Sequence, residues 1–264
     1  MKKITEKIIL AVSYAIIIIA ALVFITPVFI TDRFIVKGDS MFPTYGYGEK
    51  VWVNKLIMGA RIYTDYDFDS PSLGAFRMPG IRNIKSGDVA VFNCPYGRER
   101  DKIEFKINYV YVKRCLGGPG DTISIQDCRY VSSGYDGEFG SMSMRYQLQH
   151  TPDSLIPYTT QVYPFDENMC WTMREMGPFY IPEKGARIRM DSVNVNLYGR
   201  AIEYETGHMP RWTDGKCMLG DDNVLDAYTF KEDYCYFVGD NVLNSRDSRY
   251  FGLVPQLYVI GIVR

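Results

Sequence analysis

Ser40 and Lys113 are the side chains of this 264-residue sequence whose types and settings fit joint covalent chemistry. Ser40 lies in Gly38-Asp39-Ser40-Met41-Phe42-Pro43-Thr44. A serine hydroxyl attacks poorly until a neighbouring base takes its proton. The sequence has two histidines, His150 and His208, both in a long middle segment with few other chemical signals. A histidine triad needs its imidazole beside the serine, so a lysine amine is the better candidate. Its solution pKa near 10.4 leaves it charged at neutral pH. Burial against apolar side chains disfavours the ammonium, and a drop of about three units corresponds to about 4 kcal/mol.

The segment around Lys113, Tyr109-Val110-Tyr111-Val112-Lys113-Arg114-Cys115-Leu116, reads as a strand. Successive side chains then point to opposite faces. Lys113 shares one face with Tyr109, Tyr111 and Cys115, and Arg114 shares the other with Val110, Val112 and Leu116. Unless this is an edge strand with both faces wet, at least one charge is enclosed and needs a partner or a task. A third signal, Gly239 to Gly252, combines a Gly/Asn/Asp turn with alternating charges and hydroxyls. It suits either a solvated connection or a buried network supporting a site.

The elements that must position these residues begin with an uncharged apolar run, Ile8 to Ile30. Its 23 residues make a helix of about 35 Å, enough to cross a hydrocarbon core of about 30 Å. A cleaved secretory signal has a shorter apolar core and a small-x-small site, so an uncleaved anchor is expected. Lys2, Lys3 and Lys7 place residues 1–7 in the cytoplasm by the positive-inside rule and the rest of the chain outside. That remainder reads as mainly β: short runs rich in Tyr, Val, Ile and Phe, punctuated by Gly, Pro, Asn and Asp. Outside the anchor no long stretch carries a convincing helical period. Net charge is −1 with no basic block, which argues against nucleic acid as a partner. Six cysteines (94, 115, 128, 170, 217, 235) allow 15 full pairings, with free thiols an equal alternative. None forms C-x-x-C, so zinc has little support.

With these blocks in view, the chain resembles the bacterial type I signal peptidases, membrane-anchored serine proteases with a Ser-Lys dyad. Four blocks carry the likeness: Ser40 to Thr44; Gly87-Asp88-Val89-Ala90-Val91-Phe92; Tyr111-Val112-Lys113-Arg114 with Gly118-Pro119-Gly120-Asp121; and Gly239-Asp240-Asn241 with Asn244-Ser245-x-Asp247-Ser248-Arg249. The resemblance implies that Ser40 is the nucleophile and Lys113 the general base. Ser245 would orient the lysine amine, Asp247 and Arg249 would form a supporting ion pair, and Arg114 would join the network through Asp240. The Ser40 backbone N–H would hold the oxyanion, and Met41, Phe42 and Pro43 would contact substrate. A hydroxyl that some members carry two residues before the nucleophile is replaced here by Gly38.

The likeness further implies an antiparallel β catalytic core (31–127 and 235–264) tethered by the anchor (8–30), with an inserted β-rich cap (128–234). The insertion 58–85 is expected to be an extended hairpin or loop. Its aromatics (Tyr63, Tyr66, Phe68, Phe76) would meet either lipid or the core. Substrates would be exported preproteins, cut by a monomer at the outer face of the cytoplasmic membrane with no metal or nucleotide cofactor. The rival readings are a narrow-specificity Ser-Lys processing peptidase and a non-catalytic scaffold that binds exported chains.

Overall fold

The structure is a computed structural model describing residues 2–67, 69–72, 74–96, 102–156, 160–221 and 223–264. Helix α1 spans Lys2–Ile25 and continues into a wider π-helical turn, Thr26–Ile30, that contains Pro27. Its Ile, Ala, Leu and Val side chains face outward on all sides, with nothing among the described residues packed against them. A helix apolar all round matches a lipid surrounding. It is long and apolar enough to cross a bilayer.

The chain then builds a seven-stranded sheet from β1 (Thr31–Ile35), β2 (Lys50–Asn54), β3 (Val89–Asn93), β4 (Val110–Gly117), β5 (Tyr234–Val238), β6 (Val254–Pro255) and β7 (Val259–Val263). The spatial order is β1-β2-β7-β3-β4-β5-β6, and every pairing is antiparallel. Residue alternation explains the layering. Ala90 and Phe92 of β3 point into the large core, where Phe92 stacks on Phe237 at 4.2 Å. Val91 points the other way, into a smaller cluster with Val36, Val51 and Val53. Because β3 and β5 are buried on both faces, they read as near-continuous apolar runs. All six cysteines are free thiols, with Cys170 exposed and the others buried.

Between β2 and β3 the chain forms a hairpin, Arg61–Tyr63 with Ala75–Arg77. Tyr63 packs towards Phe105, whereas Tyr66, Phe76 and Met78 are exposed; Phe68 lies outside the described residues. Beyond β4, strands Thr122–Gln126, Arg129–Ser132 and Met176–Tyr180 form a separate three-stranded sheet. Two helices follow in the same stretch, α2 (Met142–His150) and α3 (Ser192–Thr206), with two smaller sheets beside them.

The 15-residue α3 departs from the expectation of no helix beyond the anchor. Its ends carry ordinary stop and start signals. The Asp191 side chain accepts a hydrogen bond from Asn194 N at 2.8 Å, and Gly207 closes the helix in the left-handed region at φ 78°. Val195, Tyr198 and Ile202 form its buried stripe, but Asn194, Asn196 and Gly199 interrupt the composition and mask the period.

Candidate active site

Ser40 opens the turn 40–44 that follows β1, and Asn241 holds it from below. Asn241 N donates to Ser40 O at 3.0 Å, and Asn241 Nδ2 donates to Asp39 O at 3.0 Å. Lys113 comes from the middle of β4, where it pairs with Ala90. Its Nζ lies 2.5 Å from Ser40 Oγ and also donates to Val112 O at 3.2 Å. With the amine neutral, the hydroxyl donates to its lone pair, which is the direction the proton must travel for attack.

The lysine is only 4% exposed, and the Tyr111 ring lies 5.0 Å from its nitrogen. Burial is the main reason its pKa falls from the ordinary lysine range to about 8. Asp247 pulls the value back up and Arg249 pushes it down, but neither carboxylate nor guanidinium touches the amine.

Arg114, one residue on, points to the opposite face, as strand alternation requires. Its Nε and Nη2 donate to the two oxygens of Asp240 at 2.7 and 2.6 Å, and Nη1 donates to Gly87 O at 3.0 Å. Thr44 Oγ1 donates to the same carboxylate at 2.5 Å. One buried aspartate therefore ties the Ser40 turn, β4 and the Gly239-Asp240-Asn241 turn together.

A second ion pair lies beneath. Arg249 Nε and Nη2 donate to Asp247 at 2.8 and 2.7 Å, and both residues are fully buried. Asp247 also accepts from Gly239 N at 2.9 Å, and it caps the short helix α4 (Ser248–Phe251). Burial alone would raise the Asp247 carboxyl. The Arg249 charge and the hydrogen bonds outweigh it and hold the carboxyl below the ordinary carboxylate range. The same partner drives Arg249 upward against its own burial.

Gly239 is the contact point between this support and Ser40. A Cβ there would lie 2.5 Å from Ser40 O and 2.2 Å from Ser245 Oγ, so only glycine permits the approach. Ser245 is buried against it but makes no hydrogen bond to Lys113, whose bonds go to Ser40 and Val112. Among the three residues after Ser40, Met41 is fully buried while Phe42 and Pro43 are exposed. Gly38 has φ 141° and open space where a side chain would stand. Both His150 and His208 are exposed, and His150 stacks on Tyr146. Asn241, Thr44 and Gly239 fall within the sequence blocks, yet sequence reasoning gave them no role in the site. Their polar or small character in Gly/Asp/Asn turns was the available signal.

The dyad faces a gap. Among the described residues, β1 is the edge of its sheet and residues 110–113 of β4 pair with β3 on one side only, because β5 reaches β4 at residues 114–117. Phe34 of β1 and Val110 and Val112 of β4 pack on the same valine cluster, Val36, Val51, Val53 and Val91. Two bare strand edges and a wall of valines thus lead up to Ser40.

Residues 9–264 match the family described as signal peptidase, peptidase S26. The chain belongs to that family. Among curated S26 relatives, it is 30% identical over 113 residues to signal peptidase I T of Bacillus subtilis (strain 168), covering 43% of this chain and 42% of the relative. Signal peptidase I P of Bacillus subtilis subsp. natto is 34% identical over 113 residues, 43% and 44% of the two chains. The match thus spans less than half the length of these relatives. A signal peptidase I of Buchnera aphidicola subsp. Baizongia pistaciae is 27% identical over 267 residues, 93% of this chain and 72% of the relative. A signal peptidase I crystal structure from Enterococcus faecalis V583 gives a TM-score of 0.30 at 18% identity, covering 69% of this chain and 97% of the other. That superposition is too loose to bear on the fold or the site.

Proposed function

We propose that this S26 member is a membrane-anchored serine endopeptidase that removes signal peptides from exported preproteins with a Ser40–Lys113 dyad. The observation that carries the reading is a lysine amine buried at 2.5 Å from a serine hydroxyl, with its pKa lowered to about 8. A neutral amine in that position is a general base. The three positively charged residues at the start of α1 favour a cytoplasmic N-terminus, with the cap (128–234) and the catalytic core outside.

The substrate's extended cleavage region adds as a strand between β1 and β4, where backbone groups give affinity and alternate side chains meet pockets. The valine wall leaves room for small side chains just before the cut. Ser40 Oγ attacks the carbonyl carbon as Lys113 Nζ takes the hydroxyl proton. The oxyanion is held by the backbone N–H of Ser40, and donors of this kind contribute a few kcal/mol. Lys113 then gives its proton to the departing amine as the C–N bond breaks. Water, deprotonated by the same amine, releases the acyl group and restores Ser40. Asp240 and Asn241 keep the nucleophile turn in place, and the Asp247–Arg249 pair holds Gly239 beneath it.

Cleavage of a preprotein in detergent micelles by the unaltered protein, Ser40→Ala and Lys113→Met tests the reading. Cutting after a small residue is expected for the first and for neither variant. Binding without cutting by the unaltered protein would make it a scaffold instead, and activity in Lys113→Met would remove the lysine from the mechanism.

A further inference from the structure

A cavity of about 510 Å³ opens at the membrane end of the gap between β1 and β4. Its walls are drawn from separate segments that include the exit of the anchor (Pro27, Val28), β1 (Asp32, Phe34), the hairpin (Arg61) and the entry to β4 (Ile107, Val110). Lys55 reaches across it, donating to Pro27 O and to Asp32 Oδ2, the latter at 3.3 Å. Arg61 is nine-tenths buried, and its contacts are the carbonyls of Leu257 and Tyr258, the Tyr63 hydroxyl and Asn93 Oδ1. Two cations therefore face one carboxylate, and the cavity wall carries a net positive charge in a low-dielectric setting.

Position decides the occupant. A strand rises about 3.3 Å per residue, so Val110 lies about 10 Å before Lys113 along β4 and Ile107 further still. The anchor leaves the bilayer at this same end, and the part of a preprotein upstream of its cut emerges from the bilayer too. Resting on the proposed peptidase reading, we infer that the cavity receives preprotein side chains about four to six residues before the cut and rejects a positive charge there. The apolar lining from Phe34, Ile107 and Val110 accommodates neutral side chains, while Lys55 and Arg61 repel lysine and arginine. Discrimination at this depth is separate from the demand for small residues at the valine wall.

The test uses full-length Ser40→Ala protein in detergent micelles. Its probes are fluorescent signal-peptide segments bearing Glu, Gln or Lys five residues before the cut. The lysine version is expected to bind about tenfold more weakly than the other two. Lys55→Gln is expected to bring that ratio below about threefold. Ile107→Trp, which fills the cavity from the opposite wall, is expected to weaken all three. Equal binding of the three segments, or discrimination unchanged in both variants, overturns the inference. So does a Lys55→Gln effect confined to the dependence on phosphatidylglycerol in mixed micelles, which would assign the cavity to a lipid headgroup. If the unaltered protein fails to cut the Gln segment while Ser40→Ala still discriminates, the peptidase reading falls and the peptide site stands.

Discussion

Lys113 and Arg249 are two cations sunk in one protein interior, and their surroundings drive them in opposite directions. Arg249 meets a carboxylate with two parallel hydrogen bonds and is held charged. Lys113 meets a hydroxyl and a carbonyl, and burial pushes its amine towards the neutral form. The difference lies in the partner, since both are almost wholly buried. A buried cation with a bidentate carboxylate stays charged; one without is driven towards a neutral amine.

Five measurements break or sharpen that contrast. The largest effect is on turnover: Lys113→Met should lower kcat/KM at least about a thousandfold, and Lys113→Arg should not rescue it, because a guanidinium stays protonated. The pH–rate profile of the unaltered protein should rise through about 8 as the amine loses its proton. Next comes Asp247→Asn, which strands the Arg249 charge and should cost about 3–5 kcal/mol in urea unfolding.

A smaller effect has the opposite sign. The Lys113 pKa is depressed in the folded protein, so protonating the lysine penalises folding fully below about pH 8, and the penalty fades as pH rises from about 8 to the ordinary value of 10.5. Lys113→Met should therefore stabilise the protein by about 3 kcal/mol at pH 7. The gain should shrink at pH 10; a constant gain would mean that packing, not charge, is responsible. The smallest effect belongs to Asp240→Asn, whose partner Arg114 keeps some solvent access. It should cost about 1–3 kcal/mol of stability. It should also lower kcat through the Thr44 tie, visible as a fall in kcat greater than any change in KM.

Much of this site was legible in residue types. The neighbouring charges of Lys113-Arg114 required two faces and two fates, and the structure gives one to Ser40 and the other to Asp240. The anchor and the β-rich remainder followed from composition. The clamp by Asn241 was not legible, because a side chain in a turn does not announce that its partner lies some 200 residues away. Nor was α3, whose stripe is diluted by Asn and Gly. The positive cavity is assembled from Asp32, Lys55, Arg61 and Ile107, residues that no local period connects. Ser245 shows a different limit. Its place near the dyad followed from the motif, but the hydrogen bond expected of it is taken by Val112 O.

If the protein acts as proposed, the bare edges of β1 and β4 have a consequence for the timing of export. An exposed strand edge invites any other sheet to join it. Here the two edges flank one gap, so the surface that could recruit a folded domain is open only to a lone extended strand. Residues already paired in their own sheet or wound into a helix have no free backbone groups to offer. On the proposed peptidase reading, a passenger that folds before it reaches Ser40 closes its own window for release, and the order of events is set by backbone geometry before any side chain is read.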